Sequence, residues 1–88
     1  MARLEDTVNI GEVLAGELHR AGIATADDLH RVGARAAWGR IQRINPDRDC
    51  ASSLLALEGA VRGVRWVTIP EVEREEIAAY AHSRRRRP

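Results

Sequence analysis

The sequence predicts a compact all-α domain of five helices. Helix-start and helix-stop signals recur at short intervals along the 88 residues, whereas the alternating pattern of strands is nearly absent. Phenylalanine is missing and aromatic residues are scarce, so the core must come from Leu, Ile, Val and Ala. Such a core favours closely packed helices over a sandwich or barrel. The length suits one domain, which we place at residues 1–83, followed by a basic tail at residues 84–88.

The first helix is predicted to begin at Asn9, whose side chain is an N-cap, with Glu12 completing a capping box. Val8 and Val13 occupy hydrophobic-staple positions. Gly22 ends the helix because glycine adopts the left-handed C-cap conformation without strain. The inward face is a stripe at helical spacing, formed by Ile10, Val13, Leu14, Leu18 and Ala21.

The second helix starts at a capping box formed by Thr25 and Asp28, and it stops at Gly33. The third is predicted over residues 34–44, because Pro46 pushes the residue before it out of helical geometry. Its inward face is apolar and comprises Ala34, Ala37, Trp38, Ile41 and Ile44.

The fourth helix is the predicted centre of the domain, capped by Asp47 or Asp49 and closed by Gly63. One side of it is apolar, with Cys50, Leu54, Leu55, Leu57 and Val61. Gly59 lies in its interior at a cost of about 1 kcal/mol relative to alanine, which the close approach of another helix would offset.

The fifth helix is predicted to run to about His82. Thr68 and Glu71 are interpreted as its capping box, and Val67 and Val72 as its staple. Its inward residues are Ile77, Tyr80 and Ala81. Among the aromatic residues, Trp38 and Trp66 are expected to anchor the core, with a protein contact as the alternative for Trp66.

Charge is strongly segregated along the chain. All 14 basic residues are arginine, and residues 1–28 and 68–83 are acidic, whereas residues 29–46 contain four arginines and no acid. Two arginine groups are therefore candidates for nucleic-acid binding through phosphate neutralisation: Arg31, Arg35, Arg40 and Arg43 in the body, and Arg84, Arg85, Arg86 and Arg87 in the tail. The alternatives are a solvated, salt-bridged face for the first group and a chain end without function for the second.

Motifs for catalysis or metal binding are sparse. Cys50 is the single cysteine, the three histidines lack metal-ligand spacing, and no nucleophile motif is found. We therefore expect no enzyme activity, cofactor, metal or small-molecule substrate. No apolar run is long enough to span a membrane, the N-terminus lacks the order of a signal peptide, and a single cysteine suits the cytoplasm.

Three segments together resemble the C-terminal domain of the TfoX/Sxy family of bacterial regulators of DNA uptake competence. They are VNIGEVLAGELHRAGIATADDLHRVGA at residues 8–34, SLLALEGAVRGVRW at 53–66, and IPEVEREEI at 69–77. The resemblance implies two roughly orthogonal helical hairpins, like those of SAM and helix-hairpin-helix domains, and a regulatory role without catalysis. The sequence differs from full-length family members, which carry an additional N-terminal α/β domain.

The loop ending at Gly11 is a further candidate for nucleic-acid binding. In helix-hairpin-helix modules, a glycine turn at a helix start exposes backbone N–H groups to phosphate. Gly11 supplies the open backbone, and Asn9 tolerates an unusual φ. The alternative is a cap and turn that serve folding only.

Two functions from different classes remain. The first is a regulator that contacts DNA or a DNA-bound transcription regulator, favoured by the arginine-only segment and the tail. The second is a module that binds a protein partner or forms a homodimer without touching nucleic acid, favoured by the acidic blocks at both ends of the domain.

Overall fold

The computed structural model describes residues 3–84. In this range the chain forms five α-helices: α1 at Glu12–Arg20, α2 at Ala26–Val32, α3 at Ala34–Ile44, α4 at Ala51–Arg62 and α5 at Glu71–Ser83. Two 3-10 turns, Leu4–Asp6 and Trp66–Thr68, precede α1 and α5. The described residues contain no strand beyond an isolated bridge between Arg3 and Thr25. The predicted all-α class and five-helix architecture are confirmed.

Helix α4 is the centre of the domain, as predicted. It packs against α2, α3, α5 and the second 3-10 turn, while α1 and α2 cover α3. Leu54 and Leu57 are fully buried there. Trp38 joins them from α3, where its indole N–H donates to the Ser53 hydroxyl at 3.1 Å. This hydrogen bond satisfies both buried polar groups, so the aromatic anchor predicted for the core is confirmed for Trp38.

Three helices end at the glycines that the sequence predicts to end them. Gly22, Gly33 and Gly63 all have positive φ. At Gly22 the chain forms a Schellman motif, in which the Ile23 amide donates to the Leu18 carbonyl at 2.8 Å and the Gly22 amide donates to that of His19. Since Leu18 and Ile23 are both fully buried, the motif also fixes the turn between α1 and α2 against the core.

The predicted side-chain caps are confirmed at α2 alone. The Thr25 hydroxyl accepts from the Asp28 amide at 3.1 Å, as a capping box requires. The box at Thr68 is wrong, because that hydroxyl donates to the Arg65 carbonyl within the 3-10 turn and Pro70 occupies the N-cap. The aspartate cap of α4 is also wrong: a turn closes between Asn45 and Arg48, and the helix begins after Cys50.

Several apolar residues predicted to face inward are exposed instead. Val13 and Ile44 are 68% and 51% exposed, because Val13 is the second residue of α1 and Ile44 is the last residue of α3, so each lies at an end of its helix. Val67 and Val72 do not form a staple and are also exposed, since α5 begins later than the proposed box requires. Trp66 is 38% exposed and is not a core anchor. Conversely, Leu4 is completely buried by the first 3-10 turn, although it lies outside every predicted helix.

Candidate recognition surfaces

The Asn9 side chain is not the N-cap of α1. It forms hydrogen bonds to residues far along the chain, and we call this set of bonds the Asn9 latch. The Asn9 φ of 69° is left-handed, so the helix begins later and Gly11 becomes its N-cap, with no side-chain hydrogen bond. The Asn9 amide instead donates to the Val64 carbonyl at 2.9 Å and to the Ala56 carbonyl at 3.4 Å, and its oxygen accepts from the Trp66 amide at 3.2 Å. The side chain thus joins the loop before α1 to the end of α4.

Gly59 makes this latch possible. A Cβ at that position would lie 2.4 Å from the Asn9 Nδ2 atom, 2.7 Å from the Val64 carbonyl oxygen and 3.1 Å from the Trp66 nitrogen. The predicted close approach therefore exists, but the neighbours are a side chain and a loop backbone and not another helix.

Gly11 lies at the exposed start of α1, with nothing near a Cβ built there. It borders a depression that is also lined by Glu12, Arg48 and Ser52. Glu12 brings a negative charge to the same helix start, which opposes phosphate while favouring the helix dipole. Phosphate binding at Gly11 stays a prediction.

Two of the four candidate arginines in the body are engaged within the domain. Arg31 pairs with Asp28 three residues earlier. The Arg35 Nε atom lies 3.8 Å from a carboxylate oxygen of Glu58, and its guanidinium lies 4.3 Å from the centre of the Tyr80 ring. These contacts fit the salt-bridged alternative for Arg31 and Arg35.

The other two body candidates, Arg40 and Arg43, meet Arg20 of α1 at one depression of about 430 Å³. Ala21 and Ile44 complete its lining. None of the three arginines forms an ion pair with any residue between 3 and 84. We call Arg20, Arg40 and Arg43 the basic patch.

Arg20 is absent from the sequence-based candidates because it lies in the acidic segment 1–28. The packing of α1 against α3 brings it to Arg40 and Arg43. No signal in the sequence predicts that packing, although Arg20 does occupy the last turn of α1, where the helix dipole favours a cation.

Arg84 extends the positive surface beyond the basic patch. It lines a neighbouring depression with Arg43, Gly39, Gln42 and Pro46. Its guanidinium also lies 5.2 Å from the centre of the Tyr80 ring, within cation–π range. This contact places the start of the tetra-arginine segment beside the patch, while Arg85, Arg86 and Arg87 lie outside the described residues.

Residues 64–72 carry a second surface of opposite character. Large exposed apolar side chains are concentrated in this segment: Val64, Trp66, Val67 and Val72. We call these four residues the apolar ridge. The exposure of Trp66 is compatible with the protein contact named as its alternative role.

Cys50 is partly buried at the N-cap of α4. Burial raises the pKa of its thiol, but the hydrogen bond from the Ser52 hydroxyl and the interactions with the Ser53 side chain, the Ser53 amide and the Arg48 guanidinium outweigh burial and lower the pKa to about 7. Arg48 is itself held by Glu17, with an N–O distance of 2.9 Å, and the Glu17 side chain is only 6% exposed.

Residues 3–84 bring no three His, Cys, Asp or Glu side chains together in a geometry that could hold a metal ion. No helix in that range combines the length and apolar character needed to cross a bilayer.

Comparisons with known proteins agree on one family. Residues 1–81 match the family model described as the TfoX C-terminal domain. The chain is 32% identical over 81 residues to Protein Sxy of Escherichia coli (strain K12), covering 92% of this chain and 38% of that protein. It therefore spans well under half the length of that curated relative.

Two crystal structures of Listeria monocytogenes proteins are also similar. An uncharacterized protein in a triclinic form shares 40% identity with a TM-score of 0.87, covering 93% of this chain and 92% of that one. A protein of unknown function in a tetragonal form shares 43% identity with a TM-score of 0.78, covering 85% and 90%.

Proposed function

Since the chain belongs to the TfoX C-terminal domain family, we propose that it is a non-enzymatic regulatory domain that contacts the phosphate backbone of nucleic acid. In this proposal it acts in the cytoplasm, in the control of DNA uptake competence, either directly on DNA or beside a DNA-bound transcription regulator.

The observation that carries the proposal is the basic patch. Arg20, Arg40 and Arg43 converge on one depression whose lining includes no acidic residue among those described. Arginines without carboxylate partners keep their charge available for phosphate, and guanidinium groups match phosphate geometry by bidentate hydrogen bonding.

Arg84 supports the same surface. It shares a second acid-free lining with Arg43, and the chain continues from it into three further arginines. Each guanidinium that neutralises a phosphate releases a counterion, so binding through this surface depends steeply on salt and little on sequence.

The proposal is tested by titrating a fluorescent DNA duplex with the full chain at several salt concentrations. We expect the logarithm of the affinity to fall linearly with the logarithm of salt concentration. The Arg40→Gln/Arg43→Gln variant should bind more weakly at every salt concentration. Its slope should be shallower by about 0.9 for each phosphate that the variant no longer neutralises. A chain ending at Ser83 measures the contribution of the tail in the same way.

The matched control is Arg31→Gln/Arg62→Gln, which removes the same net charge from arginines that already pair with Asp28 and Glu73. This control should keep the slope of the wild-type protein. Equally weakened binding in the two double variants would show that net charge matters and the patch does not. Absence of binding by the wild-type chain at low salt would overturn the proposal.

A further inference from the structure

The apolar ridge is held in a defined conformation. The Asn9 side chain bonds the backbone at Val64 and Trp66, and the Thr68 hydroxyl bonds the Arg65 carbonyl at 2.7 Å. Single exposed valines are ordinary on a protein surface, but residues 64–72 carry four of the six large exposed apolar side chains among the described residues. A partner that binds here loses little free energy in ordering the loop, because the loop is already fixed.

Acidic residues border the ridge. Glu75 and Glu76 lie three and four residues after Val72 on α5 and therefore flank it, and Glu71 precedes it. All three are exposed and form no ion pair within residues 3–84, whereas Glu73 is paired with Arg62. Arg65 is exposed and Arg74 is half-buried in the same region, so three unpaired carboxylates face two arginines, and the ridge with its border carries a net negative charge.

The basic patch has the complementary arrangement. Ile44, which is 51% exposed, lines the depression together with Arg20, Arg40 and Arg43. An exposed apolar side chain among arginines on one surface thus matches an apolar segment bordered by carboxylates on the other.

We infer that a second copy of this chain binds head to tail, with the apolar ridge of one copy against the basic patch of the next. Contact between two ridges would bring together the three unpaired carboxylates of each copy, Glu71, Glu75 and Glu76, which outnumber the exposed arginine, Arg65. Contact between two patches would oppose arginines to arginines. Ridge-to-patch contact buries apolar surface while setting unpaired arginines against the more numerous carboxylates, the complementarity that specifies register and partner at interfaces.

Such an interface is heterologous: a dimer uses the ridge of one copy and the patch of the other, and it leaves one patch and one ridge free for further copies. Association is therefore expected to continue beyond the dimer as concentration rises. It shares the basic patch with the proposed nucleic-acid contact, but it is measured in the absence of nucleic acid.

The test uses two surface variants and sedimentation velocity at low salt over a range of concentrations. Val72→Arg places a cation on the ridge, opposite the arginines of the patch. Ile44→Glu places an acid beside the arginines of the patch, where it opposes the acidic border of the ridge. The substituted positions are 67% and 51% exposed, so both variants should fold as the wild type does. Val13→Arg, at a valine of α1 that is 68% exposed and outside both surfaces, is the matched control.

We expect the wild type and Val13→Arg to associate with rising concentration and the two surface variants to associate at least about tenfold more weakly. Mixing the two variants should restore a one-to-one complex and nothing larger, because only the patch of one and the ridge of the other remain intact. At protein concentrations too low for association, Val72→Arg should bind nucleic acid at least as tightly as the wild type because its patch is intact, which separates this inference from the proposed function. A monomeric wild type, a dimer that persists in Ile44→Glu, or a mixture that stays monomeric would each overturn the inference.

Discussion

Replacing Gly59 by alanine tests the packing between the start of the chain and the end of α4. Gly59 lies inside a twelve-residue helix with ordinary helical geometry. Helix propensity alone therefore predicts that alanine stabilises the protein by about 1 kcal/mol. The surrounding contacts predict the opposite sign.

The added Cβ would lie 2.4 Å from the Asn9 Nδ2 atom and 2.7 Å from the Val64 carbonyl oxygen. The Asn9 side chain can rotate away, but it then gives up its hydrogen bonds to Val64 and Trp66, worth about 1 kcal/mol each. The Val64 carbonyl belongs to the backbone, and moving it adds an overpacking cost of about 1 kcal/mol or more. After the propensity gain is subtracted, we expect a net loss of stability of about 2 kcal/mol.

Urea denaturation followed by circular dichroism measures this loss of stability. With a dependence of about 1 kcal/mol per molar urea for a domain of this size, the midpoint should fall by about 2 M. Gly39→Ala is the matched control, because a Cβ at that helical glycine meets nothing within 4 Å. It should gain stability. The double variant Asn9→Ala/Gly59→Ala should be destabilised by less than the sum of its single variants. If Gly59→Ala raised the urea midpoint relative to the wild type as Gly39→Ala does, the close packing of Asn9 and Val64 against Gly59 would be refuted.

Two further predictions concern the region before α4. The Cys50 thiol should react with iodoacetamide with a midpoint near pH 7, and Ser52→Ala should move that midpoint upward by removing a hydrogen bond to the sulfur. Because the pKa is lowered from 9.0, the thiolate stabilises the fold fully above pH 9, and this contribution is lost as the pH falls through 7. The urea midpoints of wild type and Cys50→Ser should therefore differ more at about pH 9.5 than at about pH 6, and a constant difference would contradict the assignment. Arg48→Ala should cost about 3 kcal/mol by leaving the buried Glu17 carboxylate without a cation and with the Asn45 amide, at 3.3 Å, as its remaining donor, whereas Arg48→Met/Glu17→Gln should recover most of that stability. A destabilisation below about 1 kcal/mol in Arg48→Ala, measured by urea denaturation, would show that the pair is not buried in solution.

Features set by a few neighbouring residues could be predicted from the sequence. The bounds of α3, residues 34–44, agree with the structure because Gly33 and Pro46 flank a clear apolar periodicity. The Thr25 cap and the stop at Gly22 depend on hydrogen bonds within one turn. Local chemistry of this kind is fully contained in the sequence.

Features set by distant contacts could not be predicted. Asn9 and Thr68 each begin a sequence that fits a capping box, as Thr25 does, yet neither caps a helix. Asn9 finds partners far along the chain, at Ala56 and Val64. Thr68 is held by a 3-10 turn that has no distinctive sequence signal. A local sequence pattern cannot show which of its side chains will form hydrogen bonds elsewhere in the fold instead of capping a helix.

Tertiary contacts also decide which candidate arginines are paired within the domain and which belong to the basic patch. Helical spacing shows that Arg35 and Arg40 point in different directions, but it does not show that Glu58 and Tyr80 receive Arg35. Nor does it show that Arg20 of α1 joins Arg40. The basic patch exists because two helices from differently charged segments pack side by side.

The contrasting positions of the two tryptophans provide a built-in optical assay. Trp38 is buried and hydrogen-bonded to Ser53, so its emission reports the integrity of the interior. Trp66 stands partly in solvent on the ridge, so quenchers such as acrylamide reach it first in the native state. Unfolding of the core and binding of a partner to the ridge can thus be followed separately in one unlabelled sample. The Trp66→Phe variant isolates the emission of Trp38.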